Sequence, residues 1–162
     1  MSLVSIFYGT RQGMSRKTAQ VLKRTFEEKH DLSTSLYDLR SKVSVPPLDS
    51  LDNIVVGSGI ASGKWTKEVL GFLKNDFRGK KVAVYVCSSN AGAEHEKGNK
   101  EGYLHFHDLY ITQIVAEHLN VEPVSTRAFG GQVRYFRITF VKNWSSEEVV
   151  GWADELASFF GS

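Results

Sequence analysis

The sequence predicts a doubly wound α/β fold, in which helices cover both faces of a five-stranded parallel sheet. Short runs of β-branched and aromatic residues alternate with helix-period segments along the whole chain. Two of these runs, 54–56 and 82–86, are almost continuously apolar, which is typical of parallel strands buried on both faces. Connections between the runs are short, so the strands pair in parallel through right-handed crossovers. We expect one domain that spans residues 1–162.

The strands follow from their content of β-branched and aromatic residues. They are predicted at residues 4–8, 34–37, 53–56, 82–86 and 121–129. Pro46 and Pro47 lie between the second and third strands and block a long regular helix there. We therefore expect a short or irregular crossover at that point.

Helices are predicted where apolar residues recur at helical spacing. The first covers residues 15–29, and the last begins at a capping box in which Ser145 and Glu148 would each accept a free backbone N–H. The apolar stripes are, in chain order, Ala19, Leu22 and Phe26; Trp65, Val69, Phe72, Leu73 and Phe77; Ile111, Ile114, Val115 and Leu119; and Val149, Ala153, Leu156 and Phe160.

Composition excludes several classes of protein. The net charge is +2, with 41% hydrophobic and 23% charged residues, which argues against a disordered chain and against a strongly basic nucleic-acid binder. The single Cys87 excludes an internal disulfide and a four-thiolate zinc site. No apolar run approaches the ~20 residues that a transmembrane helix needs. We expect a soluble, cytoplasmic protein.

The turn after the first strand has the features of a phosphate site. Unpaired N–H groups and the helix dipole at a helix start attract anions, and glycines let the backbone approach a ligand closely. Hydroxyl groups supply further donors. The candidate residues are Thr10, Arg11, Gln12, Gly13, Met14 and Ser15. The alternative is an ordinary strand-to-helix turn with Ser15 as the N-cap.

The segment Tyr8-Gly9-Thr10-x-Gln12-Gly13-x-Ser15 resembles the phosphate loop of flavodoxins, and Arg16-Lys17-Thr18-Ala19 after it is similar to the form in menaquinone-dependent protoporphyrinogen dehydrogenases, a flavodoxin-like branch. The resemblance spans essentially the whole chain. It implies a flavodoxin-like fold with strand order 2-1-3-4-5 and one non-covalently bound FMN, whose phosphate would lie at residues 10–15.

The loop after the third strand admits three interpretations. Its glycines resemble a dinucleotide fingerprint, but the next strand does not end in the acidic residue that this fingerprint requires. A Walker A motif fails because Ser58 and Trp65 stand where Gly and Ser or Thr are needed. The flavodoxin resemblance instead implies a loop beside the flavin ring, formed by Ser58, Gly59, Ile60, Ala61, Ser62 and Gly63. Trp65 would either stack on the ring or pack in the core.

The loop after the fourth strand resembles the second ring-flanking loop of flavodoxins. Its residues are Ser88, Ser89, Asn90, Ala91 and Gly92. Flavodoxins usually carry a tyrosine here that covers the ring, whereas the nearest aromatic residue in this chain is Tyr103. Either Tyr103 folds back or that ring face stays open. The nearby histidines lack the spacing of a metal site, so we expect no metal.

Gly130-Gly131, with the aromatic and basic residues after it, also resembles the protoporphyrinogen dehydrogenase branch. In that branch a long basic insertion follows, whereas here residues 138–144 lead almost directly to the last helix.

We therefore expect an FMN-dependent electron carrier or dehydrogenase with no catalytic acid or base. The alternatives are a quinone-linked protoporphyrinogen IX dehydrogenase and a non-redox module that binds a phosphorylated ligand. Expected partners are a redox protein, a quinone or a porphyrinogen, with peripheral membrane contact left open and no nucleic acid.

Overall fold

The computed structural model describes residues 2–42 and 44–161. Five parallel strands form the main sheet: β1 (Leu3–Gly9), β2 (Ser33–Asp38), β3 (Asn53–Gly59), β4 (Lys81–Cys87) and β5 (Ser125–Phe129). Their order is β2-β1-β3-β4-β5, which confirms the predicted topology. The winding reverses between β1 and β3, so the loops after these strands lie at the same edge of the sheet.

Helices cover both faces of this sheet. They are α1 (Met14–His30), α2 (Lys67–Phe72), α3 (Ser89–Glu96), α4 (Lys100–His107), α5 (Gln113–His118) and α6 (Ser146–Phe160). A 3₁₀ turn, Leu48–Ser50, occupies the crossover after Pro46-Pro47, and a π-helical turn, Asp108–Thr112, joins α4 to α5. Two apolar cores result, one between the sheet and α1 with α6, the other between the sheet and the helices on the opposite face.

Three details differ from the sequence prediction. The fifth strand begins at Ser125 instead of residue 121, because Pro123 has no N–H to give to a strand ladder. The second helix ends at Phe72, where the Asn75 side chain donates a hydrogen bond to the Phe72 carbonyl at 2.9 Å. The capping box is wrong: the Ser145 side chain caps no N–H, and the Glu148 carboxylate pairs with His95.

An antiparallel hairpin follows β5 and was not predicted. It consists of β6 (Gln132–Tyr135) and β7 (Ile138–Lys142), with an irregularity in register at Val133 and Arg134. At its tip, Phe136 and Arg137 have φ angles of 49° and 68°, a region that glycine and asparagine favour. The Phe136 side chain is 96% exposed, so the tip of the hairpin projects into solvent.

Candidate functional site

The turn between β1 and α1 presents backbone donors. Gly13 occupies the N-cap position with φ 90°, and its N–H donates to Thr10 Oγ1 at 2.8 Å. The next three N–H groups, from Met14 to Arg16, have no intrahelical acceptor because they belong to the first turn of α1. Ser15 is the second residue of the helix, so the alternative in which it serves as N-cap is wrong.

Two side chains from elsewhere fix this turn in place. The Tyr85 hydroxyl, on β4, donates to the Ser15 carbonyl at 2.9 Å. Arg40 Nη1 donates to the Thr10 carbonyl at 2.6 Å. These two hydrogen bonds engage carbonyl groups of the turn and leave the N–H groups of the first helical turn without an acceptor in α1.

The loop after β3 forms a tight two-residue turn. Ala61 and Lys64 exchange both backbone hydrogen bonds at 3.0 Å, and Ser62 and Gly63 between them have φ angles of 52° and 74°. Positive φ at both central residues is the geometry of a type I′ turn, which glycine adopts without strain. The base of the loop is fixed at Ser58, whose buried hydroxyl accepts from the Thr66 N–H at 3.0 Å.

The loop after β4 is fixed to the chain that follows β5, and Asn143 makes the connection. Its Nδ2 donates to the Ser89 carbonyl, and its Oδ1 accepts from the Gly131 N–H, both at 2.9 Å. A Cβ on Gly92 or Gly130 would lie 2.2 Å or 2.1 Å from atoms of Asn143. These glycines are therefore required for the close approach of the two segments.

These segments enclose a cavity of about 300 Å³ at the carboxyl edge of the sheet. The predicted residues that line it are Thr10, Arg11, Gln12, Met14, Ser15, Gly59, Ile60, Ala61, Ser62, Gly63, Ser88, Ser89 and Asn90. Predicted residues outside the lining are Gly13, Ser58, Trp65, Ala91 and Gly92. Sequence reasoning missed Cys87, Gly131, Gln132, Val133 and Tyr135. Three of these, Gln132, Val133 and Tyr135, belong to the hairpin. No local sequence pattern predicts that the base of this hairpin lies against the cavity.

Neither Trp65 nor Tyr103, the two aromatic residues considered from the sequence, lines the cavity. Trp65 is only 3% exposed and donates its indole N–H to the Tyr110 carbonyl at 2.7 Å, so the structure shows the packing role and not the stacking one. The Tyr103 hydroxyl accepts from the Ala128 N–H at 3.2 Å, away from the cavity. Tyr135, on the hairpin, is the aromatic side chain that lines the cavity instead.

The electrostatics of the cavity favour an anion. Among the described residues that line it, none is a carboxylate, and Arg11 is the charged one. Arg16, nearby on α1, pairs with Asp38 at 2.9 Å, and this hydrogen bond raises the pKa of its guanidinium. Burial raises the pKa of the Cys87 thiol to about 12, so it stays neutral near pH 7. The donors available are thus N–H groups, hydroxyls and one guanidinium.

No metal site is assembled in the part of the chain that the structure describes, 2–42 and 44–161. His95 pairs with Glu148 and His107 bonds the Thr126 hydroxyl, so these imidazoles serve local structure. Within the same ranges, no helix is long and apolar enough to cross a membrane.

The parallel strand order β2-β1-β3-β4-β5, with helices on both faces, is the flavodoxin-like arrangement of doubly wound α/β proteins. The family described as flavodoxin domain matches residues 5–145. The chain belongs to this family.

Solved structures share the fold at low sequence identity. Oxidised flavodoxin 1 from Bacillus cereus has a TM-score of 0.62 and 15% identity, covering 97% of this chain and 98% of that one. Flavodoxin 2 from the same organism has a TM-score of 0.60 and 18% identity, with 99% and 98% covered. An NAD(P)H:quinone oxidoreductase from Methanothermobacter marburgensis has a TM-score of 0.59 and 13% identity, with 96% and 97% covered. No curated protein sequence matches the chain.

Proposed function

We propose that this chain is an FMN-binding redox protein. The observation that carries the proposal is the convergence of the loops after β1, β3 and β4 on one cavity without carboxylates. An FMN phosphate fits the first loop because free N–H groups, the Thr10 and Ser15 hydroxyls and Arg11 all suit a dianion. Gly131 lets the segment after β5 pack directly against the loop after β4, since a Cβ at this position would lie 2.8 Å from the Ser89 nitrogen.

Bound FMN supplies one-electron or two-electron transfer from its ring system. The chain contributes binding and orientation. Residues 59–63 and 88–90 would flank the ring, and Tyr135 would contact it from the hairpin, because all of them line the cavity. Cys87 lies in the lining as a neutral thiol, so it adds no negative charge beside the ring and does not act as a nucleophile.

The absorption spectrum of protein purified without added cofactor tests this proposal. Flavin bands at near equimolar ratio, or their appearance after reconstitution with FMN, are the expected result. A colourless protein that FMN does not reconstitute would favour the remaining alternative, a non-redox module that binds another phosphorylated ligand in the same cavity.

Within this class we propose a dehydrogenase that passes electrons to a quinone. Protoporphyrinogen is the electron donor suggested by the branch that the Gly130-Gly131 segment resembles. Two observations support it: the Gly130-Gly131 turn reaches the cavity through Gly131, and a quinone oxidoreductase is among the structural neighbours. The alternative, an electron carrier, is supported by the flavodoxin neighbours. Rates of reoxidation of the reduced protein by quinones and by ferredoxin, and of its reduction by porphyrinogens, separate the two.

A further inference from the structure

A second cavity, of about 600 Å³, lies beside the proposed FMN cavity and shares Arg11 and Gly63 with it. We call it the basic groove. Its charged side chains are the cations Arg11, Arg40, Lys64 and Lys67 and one carboxylate, Glu68. Its remaining side chains are apolar or aromatic: Trp65, Leu70, Leu109, Tyr110 and Ile114. The groove therefore combines excess positive charge with an apolar wall.

The positive charge of the groove is largely uncompensated. Glu68 Oε1 lies 3.8 Å from Arg40 Nε, and exposed ion pairs of this kind have a small interaction free energy. Arg40 is held in place by its bond to the Thr10 carbonyl, which ties the groove to the proposed phosphate turn. Within 2–42 and 44–161, no ion pair involves Lys64 or Lys67.

The π-helical turn Asp108–Thr112 builds the apolar wall. It contributes Leu109, which is left 39% exposed, and the buried Tyr110. The Tyr110 carbonyl accepts from Trp65, and its hydroxyl accepts from Asn90 Nδ2 at 3.2 Å, which connects the wall to the loop after β4. Single π turns within helices occur frequently at functional sites.

We propose that the basic groove binds a small aromatic molecule that carries carboxylate, sulfonate or phosphate groups. A neutral apolar ligand would leave the cations unpaired, and a bare inorganic anion would leave the apolar wall uncovered. Because the groove meets the proposed FMN cavity at Arg11 and Gly63, the bound molecule would lie next to FMN. Its position beside FMN and its role as a redox partner rest on the proposed function; the binding itself does not.

Anilinonaphthalene sulfonate, an aromatic anion, is a direct probe of this groove. Its affinity is measured by calorimetry with FMN-saturated and FMN-free protein. Lys64→Glu with Lys67→Glu should weaken binding by about tenfold or more, since two favourable charge interactions become unfavourable. Lys74→Glu with Lys100→Glu, an equal charge change on exposed residues outside the groove, should leave the affinity within about twofold.

Three results would overturn the proposal: equal dye affinity in both double variants, displacement of the dye by FMN, or loss of dye binding in Phe136→Ser on the exposed hairpin. FMN affinity, followed by quenching of flavin fluorescence in the same variants, keeps the two proposals apart. If FMN binds and the lysine substitutions leave the dye affinity unchanged, only the proposal for the groove is refuted. If the dye depends on the lysines and FMN never binds, the proposed cofactor fails alone.

Discussion

Asn143 should control both the stability of the protein and the order of its proposed cofactor site. Asn143→Ala removes two hydrogen bonds of 2.9 Å and leaves the Ser89 carbonyl and the Gly131 N–H without these partners in a part-buried position. At about 1 kcal/mol for each bond, the free energy of unfolding should fall by about 2 kcal/mol. Urea denaturation followed by tryptophan fluorescence measures this loss.

The same substitution should weaken FMN binding by about three- to tenfold, because the ligand then has to order both loops itself at a cost of roughly 1 kcal/mol. The matched control is Asn75→Ala, which removes one bond, to the Phe72 carbonyl, far from the cavity. It should lower stability by about 1 kcal/mol and leave FMN affinity unchanged. The reasoning is refuted if Asn143→Ala binds FMN as tightly as the wild type, or if Asn75→Ala weakens binding equally.

Three further predictions concern the cavity itself. Thr10→Ala with Ser15→Ala should weaken FMN binding by about tenfold or more, measured by fluorescence quenching, since two hydroxyl donors to a dianion are lost; unchanged affinity would place the phosphate elsewhere. Gly131→Ala should reduce FMN binding at nearly native circular dichroism, because its Cβ would lie 2.8 Å from a backbone nitrogen of the loop after β4; full occupancy would show that the segment shifts freely. Because burial raises the pKa of Cys87 from 9.0 to about 12, the unfolded chain loses this proton first, and stability should fall as pH rises through that window. Cys87→Ala should flatten the fall seen in urea titrations, and an identical slope would contradict the assignment.

The sheet could be predicted from sequence because its central strands are almost continuously apolar. Residues 54–56 and 82–86 are buried on both faces, so nearly every position is apolar and the run is unambiguous. The loops that follow such strands meet at one edge, and most of the residues predicted in these loops line one cavity there.

Other features depend on contacts that no local pattern contains. Asn143 lies far along the chain from Ser89, and nothing around it in sequence indicates that it joins the two segments. The hairpin turn at Phe136 and Arg137 has neither glycine nor asparagine, so the usual signal for positive φ is missing. Trp65 fits both a core stripe and a stacking role, and only the position of the Tyr110 carbonyl decides between them.

The hairpin is closed at its base. The Asn143 N–H donates to the Gly131 carbonyl at 3.2 Å, and the Gly131 N–H returns a bond to the Asn143 side chain, so the chain leaves and re-enters at one point. We therefore expect that residues 132–142 can be replaced by segments of other lengths between Gly131 and Asn143 with little effect on the parallel sheet. Such replacements would change which side chains reach the opening of the cavity while the rest of the fold stays the same.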